Sequence, residues 1–131
     1  MRSARSVVLA WLPVLAYMGV IWFLSSRPIS VPLIWFPHRD KVVHIVEYAI
    51  LGALAARAIH GSMLITLRAA LTWGFAWSVG WGALDELHQA FVPKRSADLL
   101  DLAADVVGAS LGVMGYRGFT RKRREHPASS G

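Results

Sequence analysis

The chain has 131 residues, enough for one domain. Its composition, 55% apolar and 17% charged, excludes intrinsic disorder, and the absence of Cys excludes a disulfide scaffold, a Cys-ligated zinc site and a cysteine nucleophile. The net charge of +6 sits at the ends, on Arg2 and Arg5 and on Arg117, Arg121, Lys122, Arg123 and Arg124 less Glu125, which leaves a neutral apolar body and argues for a membrane protein rather than a nucleic-acid binder.

Val7 to Leu24 carries no charge. Its 18 residues make about 27 Å of helix, close to the hydrocarbon thickness of a bilayer. The run is too long for a signal peptide, and Ser25-Ser26-Arg27-Pro28 is a poor cleavage site, so a first transmembrane helix is expected. Pro28, Pro32 and Pro37 make 25–39 a loop on the extracytoplasmic side, with Val31, Leu33, Ile34, Trp35 and Phe36 placed to rest in the interface. A second helix is expected over 40–60, with Asp40 as cap and Gly61 as stop. A third is expected over 62–91, stopped by Pro93, and a fourth over 98–116. On the fourth, Gly108 and Gly112 form a small-residue contact for close helix packing. Residues 117–131 read as a basic cytoplasmic tail. The expected fold is all-α: a single small polytopic membrane domain over 1–131 with four transmembrane helices, N-in and C-in.

Loop charge sets that orientation. The side with both termini and the 57–68 hairpin carries nine Lys and Arg, the other side five. The richer side is expected to be cytoplasmic, in the plasma (inner) membrane.

Seven of the eight acids fall in three short stretches, each at the extracytoplasmic end of a helix. They are Asp40 and Glu47; Asp85 and Glu86; Asp98, Asp101 and Asp105. Glu47, Asp85 and Asp105 each lie about 10 Å in from the outer end. An ionised group facing lipid there costs roughly 2.5–3.5 kcal/mol, so these groups are expected to face one another, water or a ligand. The spacing agrees. Lys41, His44 and Tyr48 share a face bordered by Glu47; Asp85, His88 and Gln89 share another; Asp98, Asp101, Asp105, Gly108 and Gly112 trace one stripe. The expected result is a polar pocket open to the outer leaflet, also lined by Glu86 and Arg95 and floored by close packing.

Plainer readings compete. Asp98 and Asp40 suit helix caps, Lys41, Lys94 and Arg95 suit headgroup contacts, and Asp85 suits a structural pair with Arg95 or His44. Trp73, Trp77 and Trp81 form an i+4 stripe better explained by packing or lipid contact.

The motifs Asp40-Lys41-Val42-Val43-His44 with Glu47-Tyr48, then Asp85-Glu86-Leu87-His88-Gln89-Ala90-Phe91-Val92-Pro93-Lys94-Arg95, then Asp101 and Asp105-Val106-Val107-Gly108, resemble the VanZ-like family of small membrane proteins, named after a teicoplanin-resistance protein. The likeness spans residues 40 to 112. It implies that Asp40, Lys41, His44, Tyr48, Asp85, Glu86, Gln89, Pro93, Arg95, Asp101 and Gly108 are the motif residues. Asp105 stands where Asn is commoner in the family, and Lys94 where Gly is common. The resemblance implies an envelope-linked role and not antibiotic resistance itself.

The leading functional expectation is a binding protein for a cell-envelope lipid headgroup or amphipathic glycopeptide. Arg95 and Lys41 would meet phosphate or carboxylate, and the acids would accept from amines or sugar hydroxyls. The alternative is a membrane-embedded hydrolase or transferase acting on a lipid-linked envelope precursor, with His44, Asp85, Glu86 and Arg95 as candidate catalytic groups. An ion or proton conduit is the third reading. The sequence requires no cofactor. A divalent metal on the acids with His44 or His88 is compatible, but no spacing matches a known metal signature, so no metal site is assigned. The expected partners are the lipid bilayer and the envelope ligand, with no nucleic acid. A homodimer through the Gly108 and Gly112 face is compatible.

Overall fold

The computed structural model describes residues 2–27 and 38–126. Four helices and no strand occur among them: α1 (Ala4–Ser25), α2 (Arg39–Ser62), α3 (Leu67–Gln89) and α4 (Leu99–Glu125). The proline loop, including Trp35 and its neighbours, lies outside the described residues. α1, α2 and α4 are each long and apolar enough to cross a membrane. At 23 residues α3 has spanning length, about 35 Å, but Arg68, Ser78, Asp85, Glu86 and its glycines dilute its apolarity. The protein is a small polytopic membrane protein.

The helices alternate in direction. At one end Trp11 Nε1 of α1 donates to Ser62 Oγ of α2 (3.0 Å), and His60 of α2 meets the Tyr116 hydroxyl of α4 (2.9 Å). At the other end Ser25, Lys41, Asp85 and Asp101 come together, so the end of α1, the start of α2, the end of α3 and the start of α4 share one level. Both described termini therefore sit at the opposite end.

The closest packing is α2 against α4. Small residues at helical spacing create it. A Cβ on Gly52 would lie 2.7 Å from the Ala109 carbonyl oxygen, and one on Gly108 or Gly112 would overlap the Ile45 or Ala49 carbonyl. α3 joins through Ala70, Gly74, Ser78 and Gly82, a buried stripe with Gly74 against the Ala56 backbone. Without a hydrophobic drive between helices in lipid, such backbone approach is what dispersion and weak hydrogen bonds require. Because α2 fills the Gly108–Gly112 face, a homodimer would need another surface. α1 lies against α2 and only lightly on α3. Its buried stripe is Val14, Met18, Ile21 and Ser25, while Leu9, Leu12, Leu15, Val20 and Phe23 point outward to lipid.

Several boundaries differ from the sequence reading. The cap of α2 is His38, in the left-handed region at φ 60°, and Asp40 lies in the first turn rather than capping it. α2 runs past Gly61 to Ser62. α3 begins at Leu67 rather than 62, because the Thr66 hydroxyl accepts from Ala69 N–H and supplies the true cap (3.2 Å). α4 continues to Glu125, so 117–125 is helix rather than loose tail. Lys122, Arg123 and Arg124 in its last turn complement the helix dipole, and Arg121 pairs with Glu125 one turn on (2.9 Å).

Between α3 and α4 the chain reverses in a β-turn, closed by Arg95 N–H to the Val92 carbonyl (3.1 Å). Pro93 is its second residue and Lys94 its third, with φ 63°. That is the type II pattern, which favours Gly at the third position. The turn explains why Gly is common at position 94 in the family that the sequence resembles.

Gly112→Ala is expected to cost about 1–3 kcal/mol through overpacking, whereas Gly115→Ala, with nothing within 4 Å, is neutral or gains up to about 1 kcal/mol of helix propensity. Thermal unfolding in detergent compares the two. In the same assay Lys94→Gly raises the midpoint, because relief of roughly 1–2 kcal/mol of left-handed strain exceeds the entropy cost of glycine.

Candidate functional site

Each helix delivers polar groups to the shared end by its own periodicity. α2 contributes Lys41, His44 and Tyr48, one turn apart. α4 contributes Asp101 and Asp105, continuing the stripe that becomes Gly108 and Gly112 lower down. α3 contributes Asp85, Glu86 and Gln89, the continuation of its small-residue stripe. Asp85, Glu86, Asp101 and Asp105 are all buried.

Lys41 forms the outer layer. Its ammonium donates to Asp40 Oδ2 (3.0 Å), Asp98 Oδ2 (2.8 Å) and Asp101 Oδ1, which uses all three of its protons. Asp98 combines the two roles that the sequence left open. Its Oδ1 accepts from Leu100 N–H and caps α4 (2.8 Å), and its Oδ2 takes Lys41. The Lys41 ammonium, followed by the Leu100 N–H, holds the Asp98 carboxyl below the usual carboxylate range. Asp40 and Asp98 are the exposed members of this layer.

His44 forms the inner layer. Its Nδ1 lies 2.7 Å from Asp105 Oδ1, and its Nε2 lies 3.8 Å from Asp101 Oδ2. The Tyr48 ring lies parallel to the imidazole, 6.5 Å between centroids. Glu86 spans the layers. Its Oε2 accepts the backbone N–H of Asp98 (2.9 Å), while its Oε1 is buried with no hydrogen-bond partner. Asp105 Oδ2 and the Tyr48 hydroxyl are also buried and unpartnered.

Asp85 does not pair with Arg95 or His44. It accepts from the Ser25 hydroxyl (2.5 Å) and from Gln89 Nε2 (3.3 Å). Arg95 Nε donates instead to the Ser25 carbonyl (3.3 Å), so Ser25 bridges the two. Sequence reasoning missed Ser25. Its only signal is a hydroxyl in register with Val14, Met18 and Ile21 on the buried face of α1. His88 turns away from the cluster. It stacks on Trp22 at 3.9 Å and meets the Ser26 hydroxyl at 2.8 Å, because α1 lies on that side of α3. Glu47 is half-buried, within electrostatic reach of His44, Asp85 and Arg95. Of the tryptophan stripe, Trp73 is exposed, Trp77 packs edge-on against Trp11, and Trp81 lies against Trp22 one turn below Asp85.

The arrangement can donate from Arg95, accept at the exposed carboxylates, and hold an imidazole in a fixed orientation. A family model described as VanZ/LLP1 matches residues 8–120, and the chain belongs to that family. No curated protein and no solved structure matches it.

Lys41→Met is expected to destabilise the protein by about 2–4 kcal/mol, since three carboxylates lose one shared cation. Asp98→Asn, at a solvent-facing group, is expected to cost much less. Thermal unfolding in detergent separates the two, and equal effects would contradict the layered arrangement.

Proposed function

We propose that this VanZ/LLP1 family member binds the polar part of a cell-envelope amphiphile at the end of the bundle where the charges gather. That end is oriented to the extracytoplasmic face of the plasma membrane, as loop charge favours. The ligand chemistry is a headgroup with amine or sugar hydroxyl donors, carried by an envelope lipid or by an amphipathic glycopeptide. One observation carries the reading: three helices and the α3–α4 connection bring carboxylates, an imidazole and cations, joined by Ser25 of α1, to one level of an otherwise apolar body. Lys41 is already saturated by three carboxylates, so the accepting groups are Asp40 and Asp98 at the rim, with Arg95 facing a phosphate or carboxylate.

A second reading, a membrane-embedded hydrolase or transferase, is favoured by the His44–Asp105 pair. A carboxylate on Nδ1 fixes the tautomer and leaves Nε2 to accept or deliver a proton. Glu86, with a buried free oxygen, would be the general base. The conduit reading is weaker. Below His44 and Tyr48 the buried positions of α2, α3 and α4, among the described residues, are apolar or small with Ser78 as the polar member, and the next ionisable join between α2 and α4 is His60–Tyr116 at the far end, which makes a poor relay.

Native mass spectrometry of the full chain, released from nanodiscs of phosphatidylethanolamine, phosphatidylglycerol and a lipid-linked disaccharide, tests binding. Retention of an amine- or sugar-headed lipid, reduced at least five-fold by Asp98→Asn with Arg95→Ala, is expected, and titration with teicoplanin forms the glycopeptide arm. Equal retention of every lipid and no glycopeptide binding would overturn the reading. Turnover of the lipid-linked disaccharide, lost in Glu86→Gln, would favour the enzyme instead.

A further inference from the structure

His44, Glu86 and Asp101 come from three different helices, and one ligand-capable atom of each lies within 4.8 Å of the others. All three residues are buried. Ligand atoms around a tetrahedral zinc ion sit about 3.4 Å apart, so side-chain adjustments of about 1 Å close the set. Three further observations point to a cation there.

The first is the orientation of the imidazole. With Asp105 Oδ1 accepting a hydrogen bond from the Nδ1–H, the lone pair of His44 is on Nε2, the nitrogen that faces Asp101 Oδ2. A carboxylate behind a histidine, fixing its tautomer and raising its basicity, is the usual outer support of a metal-ligating imidazole. The second is Glu86. It is 6% exposed, one oxygen is anchored by the Asp98 backbone, the other is buried without a hydrogen bond, and the carboxyl lies within electrostatic reach of His44, Asp101 and Asp105. Leaving a carboxylate oxygen unsatisfied in a buried place is costly unless something positive meets it. The third is charge. Asp85, Glu86, Asp101 and Asp105 are buried together, and Lys41, the ammonium at this level, is divided among three acids.

We propose that His44 Nε2, Glu86 and Asp101 bind one first-row divalent transition-metal ion, Zn2+ or Mn2+, with Asp105 as the supporting carboxylate. The imidazole nitrogen selects these ions over Mg2+ and Ca2+, which prefer all-oxygen cages. Asp101 serves through Oδ2, because Oδ1 is held by Lys41. Three protein ligands leave a position open for water or for a phosphate or carboxylate oxygen of a ligand. The site stands on its own geometry, whether or not an envelope amphiphile binds above it.

The test uses the full chain purified in detergent, stripped with a chelator, then titrated with Zn2+ or Mn2+ alone. Elemental analysis after desalting is expected to give about one ion per chain, together with a rise in the thermal midpoint. His44→Asn, Glu86→Gln and Asp101→Asn each weaken binding at least ten-fold and abolish the thermal shift. Asp105→Asn weakens it about ten-fold or more, as loss of a supporting partner does. His60→Asn and His126→Asn leave it unchanged. Three independent ligand variants keep the test decisive if one fails to fold. Substoichiometric metal, binding unaltered by all three, or binding lost in His60→Asn or His126→Asn would overturn the site. Metal binding with neither lipid selectivity nor glycopeptide binding would sink the amphiphile reading alone, and selective lipid or glycopeptide binding without metal binding would sink this one alone.

Discussion

The structure depends on a constraint that lipid imposes: a charge placed inside the bilayer must find its counter-charge within the protein. Lys41 meets that constraint for three carboxylates at once, from its own helix and from the start of α4. Its reach across the α2–α4 seam fixes the rotation of both helices. One turn further in, His44 and Asp105 repeat the join. Below them Gly52, Gly108 and Gly112 let the backbones touch, and the two helices meet again through His60 and Tyr116 at the far end. Polar pairing at the top and glycine contact beneath are one design, since the close approach is what brings short aspartates within reach of α2.

Much of this was legible in the sequence because helical periodicity is local. Asp98, Asp101, Asp105, Gly108 and Gly112 lie on one face whatever packs against it, and α4 does turn that face inward. What could not be read is the rotation of one helix against another. His88 and Gln89 are adjacent, and only the position of α1 decides that His88 stacks on Trp22 while Gln89 points at Asp85. Ser25 was invisible for the same reason. A serine at the end of an apolar helix carries no charge to mark it, and its importance comes from the two partners that α3 and the turn at 92–95 bring to it. The extent of α4 was misread because basic residues look like a tail, although Lys and Arg are good helix formers and suit a helix C-terminus.

The geometry also reshapes the functional question. The expected open pocket left open whether its acids and bases face one another, water or a ligand. In the folded protein Lys41, His44 and Asp85 are engaged by neighbours, and the buried side-chain groups left without partners are the Tyr48 hydroxyl, the Trp81 Nε1–H and two carboxylate oxygens, Glu86 Oε1 and Asp105 Oδ2. Surplus acceptors call for donors or cations. That favours ligand amines and hydroxyls, or a metal, over an anionic group bound by lysine. Arg95, aimed by the type II turn through Pro93 and Lys94, remains the cation suited to an anion.

The alternation of the helices has a consequence for synthesis. Lys41 and His44, on α2, are made two helices before their acidic partners on α4. Until the last segment threads in, the nearby acids that Lys41 and His44 can meet are Asp40, Glu47 and those of α3. Arrival of α4 is then downhill electrostatically as well as sterically, so the final insertion event latches the assembly.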